Sequence, residues 1–130
     1  HNSELHNLIA SVYERGAIVA SVGHGYCGIL NVRLSDGSYL VNGKILTGPS
    51  WREEKLALVS QKVPFNAEEL ARERGADYIR WRRPYRSSAA ATNGLVTGHN
   101  NSSSGNLVAF SVCEELARLD SLKAKGSEPL

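Results

Sequence analysis

An α/β layered fold is predicted by three features of this sequence: a helical apolar pattern that Gly16 stops, an unbroken apolar run at 17–22, and a glycine-rich turn before further helical pattern. Leu5, Leu8, Ile9 and Val12 recur at helical spacing behind Asn2 and Ser3, with Glu4 in the first turn, where the helix dipole favours an acid. The run AIVASV at 17–22 is rich in β-branched residues and lacks alternation, the pattern of a strand buried on both faces of a parallel sheet. Gly23-His24-Gly25 breaks the run, and residues 26–32 are composed as a short helix. Helix, short loop, buried strand and tight turn in succession build helical layers on a sheet.

The rest of the chain follows the same grammar. Asn42-Gly43 between two apolar pairs is a hairpin-turn signal, and Asn93-Gly94 between 87–92 and 95–97 is a second. Ser50 followed by Glu53 at the third helical position forms a capping-box pattern for a helix over 51–59. Asn66 caps a helix over 67–74 that Gly75 ends, and 77–81 returns as a strand. Ser103 or Ser104 caps a last helix whose apolar stripe is Leu107, Phe110, Cys113, Leu116, Ala117 and Leu119, which places Cys113 in the core. Residues 120–130 form a polar tail, of which 123–130 is expected to fray.

Composition narrows the function. With 130 residues, 42% hydrophobic and 22% charged, the chain is one domain or part of one. A net charge of +2 is too small to imply a nucleic-acid partner. The Arg80, Arg82, Arg83 and Arg86 cluster around Trp81 and Tyr85 is short, has no second basic stripe, and reads as a solvated edge. No stretch approaches the roughly 20 apolar residues of a membrane span. Cys27 and Cys113 stand in no metal-ligand or disulfide-scaffold spacing, so a reducing, cytoplasmic setting fits. With no phosphate loop, dinucleotide fingerprint or zinc cluster, neither cofactor nor metal is expected.

Six blocks in order, Ser21 to Gly25, Leu34 to Val41, Gly43-Lys44, Thr47-Gly48, Val63 to Phe65 and Gly94 to Asn100, resemble the ThiJ/PfpI superfamily, in its chaperone and glyoxalase III-like branch. The resemblance runs from about Leu5 to Leu119 and covers the C-terminal half of the family domain. It implies half of a flavodoxin-like three-layer sandwich with a mostly parallel sheet. It also implies a complementing N-terminal-half chain or fragment, and a homo- or hetero-oligomer of such pairs, because a half sheet leaves open edges and apolar faces. A start at His1 without Met agrees with an upstream segment that was removed or is a separate chain.

The family places a cysteine nucleophile at the sharp strand-to-helix turn, followed by His and Gly, and this branch adds an acid from a later helix. His24 matches the histidine and Glu54 the acid, whereas Gly23 occupies the nucleophile position. Glycine has nothing to attack with but accepts the positive φ of such an elbow. Cys27, one helical turn further on, would point along the helix rather than replace the missing thiol. Gly25, Tyr26, Cys27, Trp51, His99 and Asn100 are the expected pocket residues around the pair.

Two functions follow. In the first, His24 oriented by Glu54 is a general acid/base for hydratase, lyase or cyclase chemistry on a small carbonyl or related molecule, with no covalent intermediate. In the second, the chain is an inactive relative serving as an assembly, chaperone-like or regulatory subunit. A Cys-to-Gly replacement in an otherwise ordinary family enzyme would leave the same sequence.

Overall fold

A computed structural model describes residues 2–99 and 103–126. Helix α1 (Ser3–Glu14) starts at Asn2, whose side chain accepts from the Leu5 N–H, and ends before Gly16 at φ +84°. Strand β1 (Val19–Val22) leads directly into a 3₁₀-helix, Gly23–Gly28. Strand β2 (Ile45–Leu46), helices α2 (Trp51–Leu56) and α3 (Ala67–Glu73), and strand β3 (Asp77–Tyr78) follow. The hairpin β4 (Ala89–Thr92) and β5 (Leu95–Gly98) and the long helix α4 (Gly105–Gly126) complete the described chain.

The main sheet has the order β1-β5-β4, with β1 parallel and β4 antiparallel to β5. β5 is its interior strand and is buried at every residue. The Asn93-Gly94 hairpin forms as expected, both residues at positive φ, and the buried Glu115 of α4 accepts from the Gly94 N–H at 2.9 Å. Beside this sheet, β2 and β3 make a short parallel ladder. Thr92 and Thr97 join the two sheets, because their hydroxyls accept from the amides of Ile45 and Thr47. The core lies between these sheets and the segment 26–41, where Leu30, Val32, Leu40, Val41, Leu46 and Leu95 are fully enclosed. Truncating one such leucine to alanine costs about 2–5 kcal/mol.

Several elements differ from the sequence reading. β1 is half-exposed rather than buried on both faces, because β5 is its only partner among the described residues. Residues 26–32 form no α-helix: the 3₁₀ turn starts at Gly23, and turns carry the chain on to the core. Asn42-Gly43 makes a turn but no hairpin, since Lys44 and Leu46 offer their carbonyls to Asp77 and Ile79. α2 stops at Leu56 and β3 at Tyr78, both shorter than their sequence patterns.

The last helix also runs past Asp120 to Gly126, because its polar residues are exposed good helix formers. Its buried residues are Val108 and Glu115, with Ser111, Val112 and Leu119 half-buried beside them. The stripe expected in the core lies largely outward: Phe110 is 63% exposed, and Leu107, Leu116 and Cys113 are exposed as well. Apolar residues line two sides of this helix, and only one packs on the sheet.

Candidate active site

The elbow after β1 is built for a sharp change of direction. Gly23 is buried at φ +57°, a left-handed conformation that costs other residues about 1–2 kcal/mol. His24 follows with its side chain 57% exposed. Gly25 lets the turn close on β1, since a Cβ there would stand 3.2 Å from that of Ser21. Having no side chain, Gly25 lines neither of the two cavities beside His24, contrary to its expected pocket role.

α2 brings the acids. Ser50 and Glu53 form the full capping box: the Glu53 N–H donates to the Ser50 hydroxyl, and Glu53 accepts from the Ser50 amide at 2.8 Å. Successive helical residues project about 100° apart, so Glu53 and Glu54 face different partners. Glu54 Oε1 lies 2.6 Å from His24 Nε2, and its carboxylate is almost fully buried. Glu53 Oε1 lies 2.8 Å from Nε2 of His99, a fully buried ring at the end of β5 whose Nδ1 is 3.3 Å from the Thr47 hydroxyl. The Tyr85 amide also donates to Glu53. Burial raises the Glu53 carboxyl, but the Ser50 and Tyr85 amides, His99 and the Ser50 hydroxyl outweigh it and hold it below its ordinary value.

Two cavities meet at His24, Pro49 and Glu54. One, of about 180 Å³, has walls of Tyr26, Trp51, Val63, Pro64 and Phe65. The other, of about 190 Å³, is bounded by Glu53, Tyr85 and His99. Tyr26 is buried, and its hydroxyl and that of Tyr78 both donate to the Pro49 carbonyl, at 3.1 and 3.0 Å. Gly48 is required here, because a Cβ would come within 2.5 Å of the Tyr26 ring. Cys27 is half-buried in the first cavity wall, not at the elbow, and burial followed by the Glu54 charge pushes its thiol up, towards the unreactive neutral form.

The structure thus brings His24, Glu54, Tyr26, Cys27, Trp51 and His99 to the two joined cavities. Asn100, the remaining expected residue, lies outside the described residues. Glu53 was legible only as a cap. Val63, Pro64 and Phe65 were legible as a block of the family resemblance, with no sign in the sequence of their place in a cavity wall. Arg80, Arg82, Arg83 and Arg86 are exposed, with the Arg86 guanidinium 5.1 Å over the Trp81 ring. Among the described residues no group of three metal-ligating side chains gathers, and no helix is long and apolar enough to cross a membrane.

No family model matches the chain. It is 32% identical over 108 residues, 78% of this chain and 41% of the relative, to the probable glutathione-independent glyoxalase hsp3103 of Schizosaccharomyces pombe. The crystal structure of glyoxalase III from Candida albicans superposes with a TM-score of 0.76 at 24% identity, over 87% of this chain and 49% of its own. This chain belongs to the ThiJ/PfpI superfamily. The Rapid Encystment Protein of Francisella tularensis gives a TM-score of 0.82 at 25% identity, covering 89% of this chain and 51% of its own. A further crystal structure, 30% identical, reaches 0.83 over 90% of this chain and 52% of its own. This ThiJ/PfpI chain therefore spans about half the length of the relatives it matches, and its α/β layers are compatible with part of a flavodoxin-like fold.

Proposed function

We propose that this chain carries the acid–base machinery of a cysteine-independent ThiJ/PfpI enzyme of hydratase, lyase or cyclase type acting on a small carbonyl or related substrate. His24 is the general acid/base and Glu54 positions it. One observation carries the reading: a buried carboxylate 2.6 Å from His24 Nε2 fixes that nitrogen as the N–H donor, leaving Nδ1 without a hydrogen-bond partner among the described residues. In a hydration, Nδ1 takes a proton from water as the water oxygen bonds to the substrate carbon. The same proton then goes to the atom that receives the displaced electron pair. Gly23 offers no nucleophile, and the step needs none.

The half-exposed edge of β1 and the outward apolar side of α4 support completion by an N-terminal-half chain or fragment, within a homo- or hetero-oligomer. The same surfaces favour a second reading, an inactive subunit retained for assembly, chaperone-like or regulatory work. Two unpaired cysteines accord with a cytoplasmic setting. Native mass spectrometry of the purified assembly, followed by turnover of a panel of small carbonyl compounds with wild type and His24→Ala, tests both. A second polypeptide and a rate that His24→Ala lowers by about 10² or more support the enzyme. An intact assembly with no turnover supports the subunit.

A further inference from the structure

The walls of the cavity under Trp51 are apolar where substrate would rest. Val63, Pro64 and Phe65, in the loop between α2 and α3, line it together with Tyr26 and Trp51. Phe65 is 42% exposed, a large apolar side chain at a cavity rim rather than in the core. The polar side chains nearby are already engaged. The Tyr26 hydroxyl donates to the Pro49 carbonyl. Glu68 accepts from the Trp51 amide and from Arg72, and Asn66 both accepts from the Glu69 amide and donates to its carboxylate. Free hydrogen-bonding capacity is therefore concentrated at the His24 and Glu54 end.

Resting on the acid–base reading of His24, we propose that this cavity receives an aryl or branched-alkyl arm of the substrate. The site would then act on bulky carbonyl compounds rather than on two- or three-carbon ones. Size agrees: a dry apolar cavity of about 150 Å³ binds benzene, and this one is about 180 Å³. So does polarity, because an arm lodged among the apolar lining residues leaves its polar end to the one part of the cavity with polar capacity to spare.

The test uses acetophenone and acetone as binding probes against the ¹⁵N-labelled protein in its native assembly, reading the indole N–H of Trp51 with that of Trp81 as internal control. Acetophenone is expected to shift the Trp51 signal and saturate at a concentration at least about tenfold below that of acetone, on the scale of one or two extra apolar groups in a fitted pocket. Ala67→Leu, which fills the cavity, and the exposed-site variant Phe65→Ala should each weaken acetophenone binding several-fold while Trp81 stays unmoved. Equal affinity for both probes, a response at Trp81 instead, or indifference to both variants would overturn the proposal. His24→Ala separates the two readings: it should lower turnover by about 10² or more, while acetophenone still saturates the Trp51 signal ahead of acetone. Binding without any turnover in wild type would sink the catalytic reading and leave the aryl pocket standing.

Discussion

Glu53 and Glu54, neighbours on α2, hold two different histidines: Glu54 reaches His24 at the elbow and Glu53 reaches His99 at the end of β5. One short helix thereby ties the elbow after β1 to the end of the strand beside it. In the first pair the His24 side chain is exposed and the Glu54 carboxylate buried. In the second pair, His99–Glu53, both side chains are enclosed.

Glu53→Gln should flatten the acid side of the stability profile. The Glu53 carboxyl is held below its ordinary value of 4.5 in the folded protein, so its stabilisation is fully present above that value and disappears as pH falls through the lowered folded value. Glutamine keeps the capping box but not the charge. Thermal unfolding followed from neutral pH down to about pH 3 should show a lower starting Tm for the variant and a shallower decline below the ordinary carboxyl range. Parallel profiles would mean that Glu53 carries no such linkage.

Gly23→Cys should restore a thiol at the elbow at the expense of stability. The residue sits at φ +57°, so the substitution is expected to lower unfolding free energy by about 1–2 kcal/mol in a denaturant titration. The new thiol, directly before His24, should react with iodoacetamide faster than Cys27 does. A variant as stable as wild type would show that the positive φ imposes no constraint.

The two natural cysteines should separate cleanly under alkylation. Cys113 is exposed on α4, whereas Cys27 is half-buried and its thiol is pushed up by burial and by Glu54. Peptide mapping after brief treatment with iodoacetamide at neutral pH should find Cys113 modified well ahead of Cys27. Equal labelling would mean that Cys27 is more open than the packing indicates.

Local rules made much of the fold legible. Asn2, Ser50 and Asn66 act as N-caps, Gly16 and Gly75 end helices in the left-handed region, and Asn93-Gly94 turns a hairpin as its residue types demand. The family resemblance singled out His24 within a block and Glu54 at the position of the branch's acid, and the two meet at 2.6 Å across 30 residues of sequence. What was not legible depends on tertiary partners. Asn42-Gly43 has the same turn chemistry as Asn93-Gly94, yet its flanking strand pairs with β3, a choice made by hydrogen-bonding partners distant in sequence. On α4 two apolar sides compete, and periodicity alone cannot tell that Val108 faces the sheet while Phe110 and Cys113 face away. Glu53 looked complete as a cap, and only the fold brings His99 and the Tyr85 amide to it.

The central claim, that His24 held by Glu54 moves protons without a cysteine, is tested most directly by hydrogen–deuterium exchange at the carbon next to a ketone. Acetophenone in D₂O is followed by NMR with the wild-type assembly and with His24→Ala, buffer alone serving as blank. A base at His24 Nδ1 would remove a methyl proton and return a deuteron. Wild type should therefore exchange above the blank, with His24→Ala slower by about 10² or more and unchanged in its thermal unfolding. Equal rates for the two proteins, or a wild-type rate no higher than the blank, would contradict the account.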